Sequence, residues 1–432
     1  MEVFKNILII SYQFPPENSG GSLRPYRFAQ NLYKYGLKPI VVARSIGNEK
    51  FERIDNDNFI EYRIPTKKKN YLYKLRTSYY FNIYDPDFYI WKTNLYTYLD
   101  RIIIENQIDI VLITMPPFSM SRIGYRLKNK YKMKLIFDWR DHWSQWNTTP
   151  YATYFHYIAN LWLERKCLKI ADVNIVVTPQ MRKDLLNLHK KISNKKIKVI
   201  TNSFEGGIDS YKLKPKNSTI KIGYVGSFYF NPKSEFLMKA KWYSKKPYQW
   251  FQYIPFEEDW KYRSPYYFLK IIKYLKDQNQ IKPDDFKLIF AGKKEDWLEK
   301  MILSMELTEF VEFKGFLTYK ESMDFQSDCD YLLITSSKVI GGRAYTIAGK
   351  TFEYFQKSKP IIAVVPEGDQ KEIILHTKTG FILDPDEVEK SSDYLLQIVS
   401  GAASVVPDTE SILQYSAENT TKKIANIINK FN

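Results

Sequence analysis

The sequence predicts an α/β protein built from two doubly wound parallel-sheet domains in series along its 432 residues. Three observations predict it. Short continuous apolar runs, the kind that strands buried on both faces need, recur along the chain. Helix-length stretches separate them, as parallel strands require of their crossover connections. The alternation then halts at a polar, turn-rich stretch, residues 205–218, and starts again.

The first strand is residues 6–11 (Asn-Ile-Leu-Ile-Ile-Ser), followed by a loop holding Pro15-Pro16 and Gly20-Gly21. An amphipathic helix over 22–35 stops at Gly36, and residues 38–43 (Lys-Pro-Ile-Val-Val-Ala) form the next strand, completing a β–α–β unit. Gly20-Gly21 at this strand-to-helix turn allows a ligand close to the backbone, although a plain tight turn uses the same pair. A helix at 96–106, a strand at 108–114, a helix at 119–128 and a strand at 133–137 follow. The last of these delivers Asp-Trp-Arg-Asp-His-Trp (138–143) to its carboxyl end, where open sheets hold ligand-facing residues. A helix near 157–170, a strand at 173–178, another helix and a strand at 197–202 close a first domain of residues 1–205.

After a linker at 206–218, residues 220–227 (Ile-Lys-Ile-Gly-Tyr-Val-Gly-Ser) open a second domain, residues 219–415. Residues 234–262 lack strand–helix rhythm and read as an insertion on that domain. Trp242, Trp250 and Trp260 among lysines suit a membrane-surface contact, acceptor binding or a structural flap. Alternation returns with helices at 265–276, 294–305 and 319–327 and strands at 286–291, 311–316, 331–335 and 380–383. The last helix, within 416–432, is expected to pack back on the first domain.

With 44% hydrophobic residues the chain can bury large cores. Only Cys167 and Cys329 are present, without CxxC spacing, so a disulfide framework and a cysteine zinc site are excluded and a reducing cytoplasm is expected. The N-terminal apolar run is too short for a signal peptide, and no window reaches the roughly 20 apolar residues of a spanning helix, so a soluble or peripheral protein is expected. A net charge of +17 points to an anionic partner, whether a membrane surface, nucleic acid or a phosphorylated substrate; a lysine-rich solvated surface is the plain alternative.

The most informative stretch is Gly349-Lys-Thr-Phe-Glu-Tyr-Phe, running on through Lys359-Pro360 and a buried strand to Pro366-Glu-Gly-Asp369. A glycine opens a short helix, a lysine occupies its first turn, and Glu353 faces the same opening. Helix N-termini offer unpaired N–H groups and partial positive charge, so this is an anion cradle beside a parallel sheet. Ala344 followed by Gly349-Lys350-Thr351 also satisfies a relaxed P-loop. A P-loop, however, leaves its strand directly and is followed by a strand ending in a magnesium-binding aspartate, and neither condition holds. Asp-x-Asp pairs occur at 55/57, 85/87, 328/330 and 384/386, none at the end of a buried strand, and the four histidines lack metal-ligand spacing. A metal-independent site is expected. No Gly-x-Ser-x-Gly is present.

Over nearly its whole length the chain resembles GT-B glycosyltransferases of family 4, in particular bacterial members with an "RDxW" element. The matching pieces are Phe-Pro-Pro with Gly20-Gly21 and Arg24, Met-Pro-Pro-Phe-Ser119, Asp138-Trp-Arg140-Asp141-His-Trp143, Ala171-Asp172 and Ile200-Thr-Asn202. In the second domain they are Tyr224-Val-Gly-Ser227, Arg263-Ser-Pro265, Phe313-Lys-Gly-Phe316 and the 349–369 stretch. The resemblance implies a GT-B fold, two Rossmann-like domains facing a central cleft. It also implies donor-binding roles: Glu353 on the ribose, Phe316 against the nucleobase, and N–H groups between Thr346 and Gly349 with Lys350 on the diphosphate. Gly20, Gly21 and Arg24 would approach from the first domain. Asp141 and His142 would lie near the transferred sugar as catalytic residues. Two positions depart from the pattern: Tyr345 stands where a first glutamate is usual, and Ser227 where an arginine is usual, so that Arg263 or Lys233 would supply that charge.

The expected activity is therefore transfer of a hexose from a nucleotide-sugar, a UDP-sugar by preference, with retention and without a resident cofactor. The acceptor is a glycan or a polyprenyl-diphosphate-linked sugar in bacterial surface polysaccharide synthesis, met at the inner, anionic face of the plasma membrane; nucleic acid is not an expected partner. The alternatives are a non-catalytic GT-B-like binding partner, a P-loop NTPase and a nucleic-acid-binding protein.

Overall fold

A computed structural model of the protein describes residues 4–17, 19–47, 50–68, 85–145, 150–210, 219–230, 232 and 240–431. The chain forms two compact units, the first comprising Met1–Ser203, Lys241–Phe256 and Ala417–Asn432, the second Phe204–Ala240 and Glu257–Ser416.

The first unit is built on an eight-stranded sheet. Its strands are β1 (Lys5–Ser11), β2 (Leu37–Arg44), β3 (Glu52–Asp55), β4 (Ile60–Ile64), β5 (Ile110–Met115), β6 (Lys134–Trp139), β7 (Val173–Val176) and β8 (Ile197–Val199). They lie in the order β3-β4-β2-β1-β5-β6-β7-β8, parallel except for β3, which pairs antiparallel with β4. Because β2 lies on one side of β1 and β5 on the other, the winding reverses at β1/β5, the usual place for a ligand in such a sheet. The helices are α1 (Leu23–Leu32), α2 (Pro86–Glu105), α3 (Ser121–Tyr131), α4 (Tyr154–Ile170) and α5 (Pro179–Leu188). Thr153 and Thr178 cap α4 and α5 by accepting the His156 and Met181 amides. Gly36, at φ 75°, ends the helical segment after α1.

Three features of this unit were not expected. The β3–β4 pair is hidden in sequence because β4 reads Ile-Glu-Tyr-Arg-Ile, yet it is buried throughout, with Glu61 and Arg63 ion-paired to each other. Next, α2 begins well before residue 96, since Pro86 sits at its start and Trp91 is fully buried. Lastly, Lys241–Phe256, expected as an insertion on the second domain, groups with the first unit: Tyr253 exchanges backbone hydrogen bonds with Tyr151 and its ring packs on Tyr154 and Tyr157. The rest of the proposed 234–262 insertion divides, with 234–239 outside the described residues and Glu257 onward in the second unit.

The second unit carries a six-stranded sheet of β9 (Ile220–Val225), β11 (Phe286–Ala291), β12 (Val311–Gly315), β13 (Tyr331–Thr335), β15 (Ile361–Val364) and β16 (Gly380–Leu383). Its order is β12-β11-β9-β13-β15-β16, all parallel, so the winding reverses at β9/β13. A two-stranded ribbon pairs β10 (Glu258–Asp259) with β14 (Lys338–Val339). The helices here are α6 (Tyr266–Asp277), α7 (Asp296–Ser304), α8 (Tyr319–Asp328), α9 (Gly349–Gln356), α10 (Asp369–Thr377), α11 (Val388–Val399) and α12 (Thr409–Leu413). A Thr318/Glu321 capping box starts α8. Phe204 is buried with Phe352 and Ile412, and the Asp209 amide bonds the Gln356 carbonyl. The unit boundary thus falls before Phe204 rather than after residue 205, while 211–218 of the expected linker lie outside the described residues.

The chain ends in α13 (Ala417–Ile428), which belongs to the first unit. Its Ile424, Ala425 and Ile428 are buried with Phe28, Ala29 and Leu32 of α1. The final helix therefore completes a core laid down by the first strands.

Candidate active site

In the second unit the reversal point lies beside the start of α9. Ala348 precedes this helix without a side-chain cap, and Gly349 is exposed there. Gln370 of α10 accepts the Ala348 amide at 2.8 Å and the Thr351 hydroxyl at 3.1 Å, fixing the first turn from behind. Gly368 permits this arrangement, since a Cβ there would stand 2.4 Å from the Ala344 carbonyl.

Lys350 leans across the sheet. Its Nζ donates to the Val225 carbonyl at the end of β9, 2.7 Å away, and stands 3.5 Å from the centre of the Tyr224 ring. The residue keeps some exposed surface, while its ammonium lies between the Val225 carbonyl and the Tyr224 ring. Desolvation by burial therefore lowers its pKa to about 7, and Glu353 only partly opposes that shift. Beyond Val225, Gly226 has φ 93° and a Cβ on Gly292 would meet the Gly226 carbonyl at 2.5 Å, so these two turns need glycine. Exposed backbone, a helix N-terminus and a cation thus converge on one point, an arrangement made for an anion.

Glu353 lies one turn into α9, where the buried Gln326 of α8 donates to its Oε2 at 3.3 Å. Thr346 shares a hydrogen bond of 3.1 Å with Ser337. Phe316, just past β12, is 79% exposed, as a ring awaiting a flat partner is. Ser227 is exposed beyond Gly226. Tyr345, which replaces the usual glutamate, stays in the loop before α9.

Other expected donor contacts have different work. Arg263 is held by the buried Glu258 of the ribbon and stacks 5.2 Å from the Trp260 ring. Lys233 lies outside the described residues. In the first unit, Arg24 is a buried clamp. Its Nη2 donates to Asp138 at 2.7 Å and to the Ile200 carbonyl at 2.8 Å, its Nε also meets Asp138, and its Nη1 donates to the Thr201 carbonyl at 2.6 Å. Every side of the guanidinium is thereby used to join α1, β6 and the segment after β8.

Gly21 has a structural reason as well. A Cβ there would stand 1.9 Å from Nη1 of Arg140; that guanidinium donates from Nη1 to the Gly21 carbonyl, from Nε to Met115 and from Nη2 to Pro116, and so ties together the loops after β1 and β5. Burial lowers the Arg140 pKa. Gly20, by contrast, is exposed with open space around it. Asp141 is partly exposed beyond β6, whereas His142 is buried, its Nε2 3.3 Å from Asp184 of α5.

The sequence missed the residues that hold these loops from behind. Ser144, two residues along from His142, donates its hydroxyl at 2.6 Å and its amide at 3.1 Å to Glu164 of α4, which also meets His189 at 2.7 Å. Burial alone would raise the Glu164 pKa, but His189 and Ser144 outweigh it and hold the carboxyl below its ordinary range. Glu164, Gln326 and Gln370 sit in ordinary helix patterns, and no sequence signal marks them. Among the described residues no group of three His, Cys, Asp or Glu side chains is placed to hold a metal ion, and no helix is long and apolar enough to cross a membrane.

Parallel sheets whose winding reverses beside an uncapped helix start define an α/β protein of the Rossmann-like class. Comparison with known families makes this specific. Residues 19–205 match the family described as Glycosyltransferase Family 4, and residues 261–418 match Glycosyl transferases group 1. The chain is a GT-B glycosyltransferase of the family 4 kind.

Its sequence matches no curated protein. Among solved structures it is similar to sucrose-phosphate synthase from Thermosynechococcus elongatus, with a TM-score of 0.63 at 12% identity, covering 99% of this chain and 98% of that one. The lipopolysaccharide outer core galactosyltransferase WaaB in its apo form gives 0.56 at 12% identity, covering 98% and 99%. A structure described as trehalose-6-phosphate from E. coli bound with UDP-2-fluoro glucose gives 0.58 at 11% identity, covering 99% and 100%.

Proposed function

We propose that the protein moves a hexose from a nucleotide-sugar, with UDP as the favoured nucleotide, to a glycan or polyprenyl-diphosphate-linked acceptor in bacterial surface polysaccharide synthesis. The observation that carries this reading is the Lys350 ammonium 2.7 Å from the Val225 carbonyl beside the uncapped start of α9. A diphosphate entering there would meet the N–H groups of Gly349 and Lys350, and Lys350 would turn from the carbonyl to the phosphate. Glu353, oriented by Gln326, is set to accept the ribose hydroxyls, and Phe316 offers its face to the base.

In the reaction the bond from the anomeric carbon to the diphosphate breaks with its electron pair on the leaving phosphate, while the acceptor hydroxyl bonds that carbon and gives up its proton. The charge on the diphosphate grows at the transition state, so cations fixed around it stabilise that state more than the substrate. No step calls for a metal ion, and retention of configuration is part of the proposal. Support for a UDP-sugar also comes from the E. coli structure described with UDP-2-fluoro glucose. The protein would work as a cytoplasmic, peripheral enzyme at an anionic membrane surface.

The test is a panel of UDP-, GDP- and dTDP-sugars assayed for hydrolysis and for transfer to lipid-linked acceptors. Turnover with one donor, lost in Glu353→Ala, is expected; full turnover in that variant would overturn the donor assignment. Tyr345 and the engaged Arg263 favour a second reading, a GT-B partner that binds nucleotides without transfer, and binding with no turnover across the panel would select it.

A further inference from the structure

Helix α4 of the first unit buries two polar side chains beside Tyr157, Cys167 and Leu168, and exposes a row of apolar ones. Its inward face buries Asn160 and Glu164 completely, because these side chains bond Trp143 and Ser144 in the loop after β6. Its outward face carries Phe155 at 82% exposure, Ile158 at 40% and Trp162 at 54%, at the three- and four-residue spacing that aligns side chains along one stripe. Soluble surface helices turn such a stripe inward. The remaining exposed residues of α4 are Tyr154, Arg165, Lys166 and Lys169, with Lys166 standing 3.4 Å from the centre of the Trp162 ring.

A second segment of the same unit is attached at the start of α4. Tyr253 joins the Lys241–Phe256 segment to the start of α4 through its edge contact with Tyr154, 5.0 Å between ring centres. Trp242, Trp250 and Phe251 are all exposed on this segment, Phe251 at 73%. Lys241, Lys245 and Lys246 lie among them, and residues 241–256 contain no acidic residue. The one acidic residue of α4, Glu164, is buried, so across both segments every charge at the surface is positive.

We infer that the outward face of α4 and the 241–256 segment together form an interfacial docking surface for an anionic lipid membrane. Aromatic rings beside basic side chains match the boundary between acyl chains and headgroups, where rings enter and ammonium groups remain at the phosphates. A protein partner would need carboxylates to answer six cations spread over two segments, whereas an anionic leaflet supplies them at any orientation. The inference gives the membrane part of the proposed function a physical location and rests on that reading. It also accounts for the exposed apolar row of α4: Asn160 and Glu164, turned inward, fix the loop that carries Asp141, and Phe155, Ile158 and Trp162, turned outward, enter the lipid.

The test uses the full chain, sedimented with vesicles of phosphatidylcholine alone or with about 30% phosphatidylglycerol, in about 0.05 M and about 0.5 M salt. Binding to the anionic vesicles alone, weakened by salt, is expected. Phe155→Ser with Trp162→Glu should lower the partition coefficient about tenfold or more. Arg165→Glu with Lys166→Glu and Lys169→Glu should lower it roughly a hundredfold. All five positions are exposed and lie outside the donor site, so nucleotide binding measured on the same preparations should stay at the wild-type level. Wild-type nucleotide binding without vesicle binding would overturn this inference and leave the proposed function standing. Vesicle binding without nucleotide binding would do the reverse. A concentration-dependent dimer abolished by the Phe155→Ser, Trp162→Glu pair, with no binding to vesicles, would show that a second copy covers the face and would also overturn it.

Discussion

Burial holds Lys350 near the midpoint of its titration at neutral pH, which makes the anion site proton-linked. A lysine with a folded-state pKa of about 7 has given up its proton over a range where the unfolded chain still holds one. Stability should therefore rise with pH from about 7 until the unfolded lysine itself titrates near ~10.4. Anion binding works in the opposite sense. A diphosphate stabilises the ammonium, so binding should take up a proton and weaken as pH climbs above 7. Calorimetry of UDP binding in buffers of different ionisation enthalpy will report the uptake, and Lys350→Met should remove both it and the pH dependence. Loss of a charge-assisted pair should also weaken UDP binding about tenfold to a hundredfold. At Gly21, where a Cβ would stand 1.9 Å from Arg140, Gly21→Ala should destabilise the first unit by about 1–3 kcal/mol in urea unfolding.

At the scale of elements, the buried clamps predict which substitutions act through stability and which through binding. Removing the guanidinium in Arg24→Met leaves Asp138, fully buried, without its charge partner and should cost about 3–5 kcal/mol. UDP affinity of the folded protein should be unchanged, because Arg24 is spent on Asp138 and backbone carbonyls. In α4, Glu164 has its carboxyl held below the ordinary range, so its contribution is present above the unfolded pKa and is lost as pH falls through the folded one. Glu164→Gln should flatten that acid limb in denaturation curves.

The same elements show what a sequence can carry. Strands such as Ile-Val-Leu-Ile-Thr-Met are apolar throughout because both faces are covered, and so they were legible. Strand β4 was not, because its buried charges cancel each other through the Glu61–Arg63 pair rather than through composition. Around the site, the helix start and Lys350 were legible because an anion cradle is a local backbone property. The role of Arg24 was not, since its partners come from residues 138 to 201 and only folding brings them together. Aromatic and basic residues at 241–256 stood out, but their attachment to the first unit depends on the Tyr151–Tyr253 bridge, which has no local signal.

For the whole molecule, the return of the chain through α13 makes the first unit depend on its last residues. Truncation after Ser416 would strip Ile424, Ala425 and Ile428 from a core shared with α1, at about 1.5–3 kcal/mol for each large side chain. The truncated chain should lose the unfolding transition of the first unit while the second still binds nucleotide, as scanning calorimetry with and without UDP will show. The surface charge predicts in turn that membrane binding falls steeply with salt.

The central claim is that the start of α9 holds the diphosphate of a nucleotide-sugar. Titration of UDP into the wild-type protein, Lys350→Met and Glu353→Gln by calorimetry tests it most directly. The account predicts saturable binding by the wild type with proton uptake, and a loss of about tenfold or more in each variant. Binding of equal strength in all three proteins, or none by the wild type to any nucleoside diphosphate, would contradict it.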